Sequence, residues 1–407
     1  MADNKQNTNP NVPNSGNVPR LRFTGYTDEW KNVKIADIAA IVGGGTPDTT
    51  ISEYWDGDIQ WFTPSEIGKS KYIAKSDRTI TKEGLNNSSA KILPKGTILL
   101  STRATIGECS IADKECCTNQ GFQSIIVKNN TTNEFQYYLI QTKKKDLIRN
   151  ACGSTFLEIS ANEVRKIRCN IPNIEEQRKI ADFLSLLDKR IETHNKIIED
   201  LKKLKVAICN KLIDNLVNRE PLICFSEIYS KAGEGGTPET SKSEYYENGI
   251  IPFIKIDDLS NKYITSNKDF ITDLGLQKSS AWIIPTHSLI YSNGATIGAI
   301  SINTYEVCTK QGILGIVPKT SISVEYLYCL MSSNYFSKQV HRIITHGTMA
   351  TAYLKDINKI KVPIPCMQKQ LEIANTVSSV TNKIETELNI LSLLKKQKQY
   401  LLQQMFI

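Results

Sequence analysis

The chain has 407 residues, of which 40% are hydrophobic and 23% charged, so it is long enough for two or three domains with buried cores. No apolar run approaches the length of a membrane-spanning helix, and ten cysteines without a CxxC pair indicate the reduced thiols of a cytoplasmic protein, not a disulfide framework. The formal net charge of +8 suits a polyanionic partner without identifying one.

Residues 1–20 form the first segment, which is rich in Asn and Pro and has almost no side chains to bury. This composition predicts a disordered tail. The segment lacks the apolar run of a signal peptide, so we do not expect it to direct secretion.

Beyond the tail, the chain repeats itself at a fixed distance. TPDTTISEYW, which starts at Thr46, returns as TPETSKSEYY at Thr237, 191 positions later. STRATIG returns as SNGATIG, and NQG as KQG, at the same distance. Several matches in one order indicate a duplicated unit that is larger than the repeat of a solenoid.

The first part of each copy predicts a globular domain. Short runs such as TILLST and SLIYS are separated by Gly, Asn and Asp, which is typical of short strands joined by turns. A helical stretch is expected around 133–149 and again around 323–340. We therefore predict an α+β fold with two similar globular domains of mixed α/β structure and short strands, over residues 21–172 and 218–365.

The second part of each copy predicts a long helix, over residues 173–217 and 366–407. Asn173 followed by Glu176 resembles a capping box, and no Gly or Pro follows until Pro221. The helices would separate the two domains.

Apolar residues in both helices alternate in spacings of four and three, with polar breaks at equivalent places, which is typical of a coiled coil. A core-facing amphipathic helix is the alternative for one such seam. Two matching copies favour an intramolecular coiled coil, which is antiparallel if a pseudo-two-fold axis relates the copies. The predicted seam consists of Ile180, Leu184, Leu187, Ile191, Ile198, Leu201, Ile373, Val377, Val380, Ile384, Leu391 and Leu394.

No catalytic or metal-binding motif stands out in the sequence. GGGTP lacks the spacing of a dinucleotide-binding loop, and the four histidines show neither HExxH nor zinc spacing with cysteine. GxSxG and the Asn/Asp-Pro-Pro-aromatic motif of adenine methyltransferases do not occur. We therefore expect a non-catalytic chain without a metal or cofactor of its own, in which GGGTP forms a tight turn.

Polar and basic residues in the domain loops remain as candidates for function, although each alone is more often a solvated surface residue. Arg103 stands in the repeated frame where the second copy has Gly294, as a residue that reads sequence would, and Arg is the usual bidentate partner of guanine. The candidate DNA-binding residues are Lys69, Lys71, Arg103, Asn119, Ser154, Thr155, Lys255, Lys262, Asn293, Lys310, His346 and Thr348.

The phrases GGTP, ATIG and QG, followed by the helix start IPNIEEQRKIADFLSLLDKRI, resemble the specificity subunit of Type I restriction-modification systems. The resemblance covers nearly the whole chain beyond residue 19. The second copy departs from the pattern, since its helix start, residues 367–370, lacks the glutamates and GST is replaced by HGT.

The resemblance implies two target-recognition domains, each reading one half of a bipartite asymmetric site in double-stranded DNA. The two antiparallel helices would set the spacer and dock two modification (methyltransferase) subunits, which carry S-adenosylmethionine. Restriction (translocase/endonuclease) subunits, with ATP and Mg²⁺, would join them. The chain itself would be non-catalytic.

Two other classes of function stay open from the sequence alone. One is a coiled-coil scaffold whose domains bind protein, which a DNA-binding measurement over a range of salt concentrations would distinguish. The other is a stand-alone DNA-modifying enzyme, which would bind S-adenosylmethionine without a partner.

Overall fold

The computed structural model describes residues 17–153, 157–294, 296–345 and 350–407. The chain divides into two compact units. Unit 1 runs to Asn195 and also contains Ile390–Ile407, and unit 2 is Lys196–Asn389. Over the described ranges, no helix is both long enough and apolar enough to cross a membrane.

Unit 1 is built from short strands in three small sheets. The strands are β1 (Lys31–Lys34), β2 (Ala39–Gly43), β3 (Trp55–Phe62), β4 (Tyr72–Ile73), β5 (Arg78–Ile80), β6 (Ile98–Leu100), β7 (Cys109–Ala112), β8 (Cys117–Thr118), β9 (Gln123–Val127) and β10 (Arg168–Ile171). The largest sheet has the order β2-β9-β6-β7-β4, a second has β5-β3-β8, and β1 pairs with β10. The β3–β8 and β4–β7 pairs are parallel and the other pairs antiparallel, so the sheets are mixed.

Helices cover one side of these sheets and extend the unit. They are α1 (Ile35–Ile38), α2 (Lys82–Asn86), α3 (Asn133–Thr142), α4 (Lys144–Arg149), α5 (Ala161–Lys166) and the long α6 (Ile174–Val217). Single 3-10 turns lie at Ser52–Tyr54 and Pro64–Glu66. The single helical stretch predicted around 133–149 is therefore two helices, α3 and α4, broken at Lys143.

Unit 2 repeats the plan of unit 1 strand for strand. Its strands are β11 (Leu222–Cys224), β12 (Tyr229–Glu234), β13 (Ile251–Ile254), β14 (Tyr263–Ile264), β15 (Asp269–Ile271), β16 (Leu289–Ser292), β17 (Ile300–Asn303), β18 (Cys308–Thr309), β19 (Ile313–Pro318) and β20 (Lys361–Pro363). The sheet orders are β12-β19-β16-β17-β14, β15-β13-β18 and β11-β20. Since every pairing of unit 1 recurs, the duplication seen in the sequence is a duplication of the fold.

The helices of unit 2 follow the same order. They are α7 (Asp273–Gln277), α8 (Val324–Met331), α9 (Asn334–Ile343), α10 (Leu354–Ile357) and the long α11 (Met367–Met405). Turns of 3-10 helix lie at Phe225–Glu227, Ser243–Tyr245 and Ile256–Ser260. The stretch predicted around 323–340 is again two helices, here α8 and α9.

Each unit buries the apolar face of its largest sheet against helices, and burial of this apolar surface is the main source of stability. In unit 1, Trp30, Phe135 and Phe406 contact one another in the core, and Ile180 and Leu184 of α6 join them. In unit 2, Phe225, Tyr291 and Phe336 pack together in a core that Cys209 of α6 and Val377 of α11 complete. Each long helix therefore belongs to the core of both units.

The two long helices run in opposite directions within each unit. The start of α6 packs with the end of α11 in unit 1, where Lys398 Nζ lies 2.7 Å from Asp188 Oδ1. The end of α6 packs with the start of α11 in unit 2, where Ile213 and Ile373 share one core. All twelve residues of the predicted seam are buried or half-buried. The predicted fold class, with two similar mixed α/β domains and two long antiparallel helices, is confirmed.

Asn173 caps the start of α6 as predicted, whereas Glu176 has a different partner from the one that a capping box requires. Asn173 Oδ1 accepts a hydrogen bond from Glu176 N–H (2.9 Å), as an N-cap residue does. The Glu176 carboxylate is fully buried and forms a bidentate pair with Arg22 at 2.7 and 2.8 Å. The reciprocal half of the expected capping box is thus an ion pair with the segment that precedes β1.

The predicted tail ends earlier than residue 20. Pro19 is buried, and Asn17 accepts a hydrogen bond through its carbonyl from the backbone N–H of Trp30 (2.8 Å). Leu21 N–H donates to the carbonyl of Gln404 (2.9 Å). These contacts fix residues 17–21 to unit 1, whereas residues 1–16, where the prediction of disorder also falls, lie outside the described residues.

Candidate nucleic-acid interface

Three loops of unit 1 meet where the repeated phrases of the sequence fall. Gly45 N–H donates to the carbonyl of Thr118 (2.8 Å), and Thr46 Oγ1 donates to Gln120 Oε1 (2.5 Å). Trp61 Nε1 donates to the carbonyl of Gly45 (2.8 Å) and so holds the GGTP turn in place. The GGTP turn therefore packs against the NQG turn, which explains why the two phrases repeat together.

Gly44 has no room for a side chain in this arrangement. A Cβ at Gly44 would lie 2.1 Å from the carbonyl oxygen of Asn119, and one at its counterpart Gly235 would lie 2.1 Å from that of Thr309. Gly43, one residue earlier in β2, is different, because its Cβ would meet only Gln123 Oε1 at 3.6 Å. The close approach of two backbones, and not phosphate binding, accounts for this glycine.

Gly44→Ala is expected to lower the free energy of unfolding by about 1–3 kcal/mol, because the new methyl group must push two backbone segments apart. A calorimetric scan measures the change, at about 2–4 °C in melting temperature for each kcal/mol in a domain of this size. Gly43→Ala is the matched control, and should be neutral or slightly stabilising, because alanine loses less backbone entropy than glycine in a strand. Equal effects of the two substitutions would contradict the close approach.

The loop after β6 forms hydrogen bonds with the NQG turn. Thr102 N–H donates to the carbonyl of Gly121 (2.9 Å), and Ile159 N–H donates to the carbonyl of Thr102 (3.2 Å). Arg103 follows Thr102, is exposed, and has Nη2 at 2.8 Å from Glu158 Oε2. Because both charged groups are substantially exposed, this pair contributes little stability and exchanges readily for another partner. We call residues 44–46, 101–107, 119–121 and 157–159 the loop end of unit 1.

Asn119 has a structural role within the loop end of unit 1. Its Oδ1 accepts a hydrogen bond from Gly121 N–H (2.9 Å), which shapes the NQG turn, and its own N–H donates to the carbonyl of Phe62 (3.0 Å). The residue is half-buried, so part of its amide group faces solvent beside Arg103's loop.

Unit 2 brings the equivalent loops together with different side chains. The backbone N–H groups of Asn293 and Gly294 donate to the carbonyl of Gly312 at 3.0 and 3.2 Å, and Ala352 N–H donates to the carbonyl of Asn293 (2.9 Å). Gln311 N–H donates to Thr237 Oγ1 (3.2 Å), as the two turns again pack together. We call residues 235–237, 292–294, 310–312 and 350–352 the loop end of unit 2.

The side chains at the loop end of unit 2 differ in exposure. Asn293 is fully buried and its Nδ2 donates to the carbonyl of Ala352 (3.2 Å), so it orders the loop. Lys310 is exposed. Lys255 lies beside it, because Ile254 and Thr309 are partners in the parallel β13–β18 pair, and its Nζ is 2.7 Å from Asp269 Oδ1. Two basic side chains thus occupy one edge.

Lys71 and Lys262 lie elsewhere, where each unit's β-structure meets a long helix. Lys71 Nζ donates to Ser185 Oγ of α6 (2.5 Å) and to Tyr138 Oη (3.3 Å) and is largely buried, which lowers the pKa of this ammonium group. Lys262 Nζ donates to Ser378 Oγ of α11 (3.1 Å) and pairs with the Glu325 carboxylate. These partners belong to the interior of each unit and not to its loop end.

Comparison with known proteins decides what the duplicated unit is. The family model described as Type I restriction modification DNA specificity domain matches residues 27–203 and again residues 224–396. The chain belongs to this family of specificity subunits. The two matches coincide with the two copies of the fold, so the family domain consists of one set of sheets and the helix that follows it.

Relatives in this family match nearly all or about half of the chain. The specificity subunit of the Type I restriction enzyme MjaIX of Methanocaldococcus jannaschii is 30% identical over 401 residues, which cover 92% of each chain. The EcoR124I/EcoR124II specificity subunit of Escherichia coli is 28% identical over 190 residues, 45% of this chain and 46% of the relative.

Solved structures show the same fold. The S subunit of the Type I system of M. genitalium has a TM-score of 0.53 at 19% identity and covers 96% of this chain and 99% of its own. A chain from a study of complex assembly and conformational transition in the Type I restriction-modification system has a TM-score of 0.62 at 16% identity, over 92% of this chain and 96% of its own.

Where the structure describes them, the predicted DNA-binding residues fall into three groups. The first lies at or beside the loop ends, the second is Lys69 alone, and the third lies against the long helices. Arg103 and Asn119 share one loop end, and Asn293 and Lys310 share the other, with Lys255 beside Lys310. Lys69 is exposed in the loop after the 3-10 turn at Pro64–Glu66. Lys71 and Lys262, each half-buried against a long helix within its own unit, are the third group. Ser154, Thr155, His346 and Thr348 lie outside the described residues.

The sequence interpretation missed the side chain that the two helix starts share. Gln177 is fully buried, with Oε1 accepting from Thr131 Oγ1 (2.9 Å) and Nε2 donating to the carbonyls of Asn130 (3.2 Å) and Pro172 (3.0 Å). Gln370 makes equivalent backbone bonds in unit 2: its Oε1 accepts from Ser323 N–H (2.8 Å), as Gln177 Oε1 does from Thr132 N–H (3.2 Å). Its Nε2 donates to the carbonyls of Ser321 (3.1 Å) and Pro365 (2.9 Å). The signal was the glutamine at the same helix position in both copies, where the glutamates differ.

Proposed function

We propose that each unit of this specificity subunit reads one half of a bipartite, asymmetric site in double-stranded DNA through its loop end. The observation that carries the proposal is the contrast between framework and loop side chains. The strand pairing is the same in both units, whereas Thr102-Arg103 in one loop corresponds to Asn293-Gly294 in the other, and Asn119 to Lys310. Two readers with one framework and different side chains would recognise two different sequences.

Arg103 is the side chain best suited to base contact in unit 1. It is exposed at the tip of an ordered loop, and its guanidinium can replace the exposed Glu158 carboxylate with the O6 and N7 acceptors of guanine. Lys255 and Lys310 would serve unit 2 mainly as phosphate contacts, because a lysine ammonium is a point charge without the planar fork of arginine.

The long helices would set the spacer between the half-sites and dock two modification subunits. Several large apolar side chains of α6 and α11 point away from the seam and are exposed, which is the feature that a docking surface requires. In unit 1 they include Phe183, Leu186, Leu393 and Tyr400, and in unit 2 Leu204 and Leu371.

Catalysis in this proposal belongs to the partners, and the assembly would act in the cytoplasm. The modification subunits would supply S-adenosylmethionine chemistry, and restriction subunits would supply ATP- and Mg²⁺-dependent translocation and cleavage. The chain itself would select the DNA site and hold the modification and restriction subunits on it.

A salt titration of DNA binding tests this function directly. The chain with its modification subunits is expected to bind duplex DNA with an affinity that falls linearly on logarithmic axes as salt rises, with a slope of about −0.9 for each phosphate contacted. Lys255→Gln, beside Lys310 of the loop end of unit 2, should make the slope shallower by about 0.9, the share of one phosphate contact, whereas Lys383→Gln on α11 should leave the slope unchanged. An affinity independent of salt would favour the protein-binding scaffold instead.

A further inference from the structure

Each unit contains one polar cluster where its β-structure meets the long helices, and three residues of the two clusters are identical at equivalent positions. Lys71, Glu134 and Ser185 of unit 1 take the places of Lys262, Glu325 and Ser378 of unit 2. Tyrosines surround both lysines: Lys71 Nζ lies 4.7 Å from the ring centre of Tyr138, and Lys262 Nζ lies 5.1 Å from that of Tyr263. The polar cluster of unit 1 can therefore be compared directly with the polar cluster of unit 2.

A carboxylate from the helix completes the cluster in unit 1. Asp188 Oδ1 lies 2.7 Å from Lys398 Nζ, and Asp188 Oδ2 accepts a hydrogen bond from Tyr138 Oη (2.6 Å). The same carboxylate acts on Lys71 through its charge. One aspartate thus neutralises two half-buried ammonium groups, as the burial of charge requires.

Unit 2 lacks this carboxylate. Thr381 stands in place of Asp188, while Lys205 takes the place of Lys398. Glu325 pairs with Lys262, but Lys205 has no carboxylate within 4 Å among the described residues. Lys205 is half-buried, and burial together with the neighbouring Lys262 ammonium lowers its pKa below the ordinary value.

A cavity of about 730 Å³ lies at this position in unit 2. Lys205, Lys262, Tyr328 and Thr381 contribute polar groups to its wall, and Lys202 is exposed beside them. Glu385, which also lines it, attracts Lys205 from beyond ion-pair distance. Ser260, Asn261, Thr265 and Ser332 also line the cavity, and its apolar wall consists of Val206, Leu259, Ile300, Val377, Ile384 and Leu388.

We propose that this cavity is a binding site for a small organic anion, a carboxylate or phosphate ester with an apolar body, whose charged group occupies the place that Asp188 fills in unit 1. The volume is that of a small-molecule site, about 300–1,000 Å³, with a few polar groups set in an apolar wall. The anion would meet the Lys205 ammonium group beside Thr381, whose own hydroxyl donates to the carbonyl of Val377 (3.0 Å), while the apolar body of the anion would lie on the apolar wall. This site lies within unit 2 and is independent of the proposed reading of DNA.

Two model ligands test the proposal by titration calorimetry on the full chain. Benzoate and phenyl phosphate represent the two anion classes, and benzyl alcohol has the same body without charge. At least one of the anions is expected to bind at one site per chain, at least tenfold more tightly than the alcohol. The anion that binds identifies the class. If neither anion binds, the proposal is overturned.

Substitutions then locate the site. Lys205→Met and Thr381→Asp should each weaken anion binding at least tenfold, the first by removing the cation and the second by restoring the carboxylate of unit 1. Thr376→Asp, the same change at an exposed position of the same helix, should bind as the parent chain does. Thr381→Asp should keep or raise the melting temperature, so that loss of binding is separated from unfolding. Unchanged anion affinity in Thr381→Asp would contradict the proposed position.

An acidic side chain of a partner subunit is the competing occupant. In that case wild-type protein would bind neither anion, while Lys205→Met would lower the affinity for the modification subunits. That pair of results would overturn the small-molecule site. The DNA-binding slope described above is unaffected by either outcome, so failure of this inference and failure of the proposed function are distinguishable.

Discussion

Insertion of one heptad into each long helix is expected to lengthen the spacer of the DNA site by about three base pairs without changing either half-site. Seven residues preserve the seam and add about 10.5 Å of helix, while one base pair occupies about 3.4 Å along the duplex. The expectation rests on the proposed role of the helices as a ruler between two readers.

The pairing of the helices fixes where the insertions belong. In unit 2, Lys205 of α6 and Thr381 of α11 line the same cavity. Five residues back along α6 and five residues further along α11, Asp200 and Thr386 therefore lie at about one level of the antiparallel pair. We would duplicate residues 194–200 after Asp200 and residues 379–385 before Thr386. Both insertions then fall at one level of the antiparallel pair and keep its apolar contacts in phase.

Sequencing of methylated sites in cells that express the variant with its modification subunit measures the spacer. Three base pairs also turn one half-site by roughly 100° around the duplex, since one turn takes about 10.5 base pairs, so a partial loss of activity is expected. An insertion in α6 alone is the control and should lower stability without giving a longer spacer. The original spacer at full activity in the double insertion would show that the helices are not the ruler.

Arg103→Ala is expected to relax sequence recognition in one half of the site and leave the other half intact. Loss of a bidentate contact to guanine costs on the order of 1–3 kcal/mol of discrimination, and each 1.4 kcal/mol is about tenfold in affinity. Because Arg103 belongs to unit 1 alone and Gly294 stands at its place in unit 2, the effect should be confined to one half-site.

Two matched variants separate base reading from simple charge. Glu158→Gln removes the partner of Arg103 and should keep or improve binding to the cognate site, since the guanidinium is then free for DNA. Arg168→Ala removes an exposed arginine of β10, whose Nη1 donates to Asn32, and should leave recognition unchanged. A uniform loss over all sequences in Arg103→Ala would identify a phosphate contact, and no loss would exclude Arg103 from the interface.

Local sequence was sufficient for the architecture because each signal is short-range. The spacing of Ile180, Leu184 and Leu187 predicts the buried side of α6, and these residues are buried or half-buried. The repeated GGTP and QG phrases predict a repeated framework, and the structure shows why, since the two turns hydrogen-bond to each other. Both inferences required only periodicity or comparison of the chain with itself.

Long-range contacts account for what the sequence did not predict. Lys71 and Lys69 are two residues apart and look alike in the sequence, yet Lys71 donates to Ser185, 114 residues away, while Lys69 is exposed. Glu176 has the spacing of a capping-box residue but pairs with Arg22, 154 residues earlier. No local pattern distinguishes a basic loop residue that faces DNA from one that holds a helix.

The bipartite reading of DNA is tested most directly by sequencing of methylated sites in cells that express this chain with its modification subunit. We predict one enriched motif with two specified segments separated by a spacer of fixed length and unspecified sequence. The two segments should differ from each other, because the loop ends of the two units carry different side chains. A single continuous motif, or methylation without sequence preference, would contradict it.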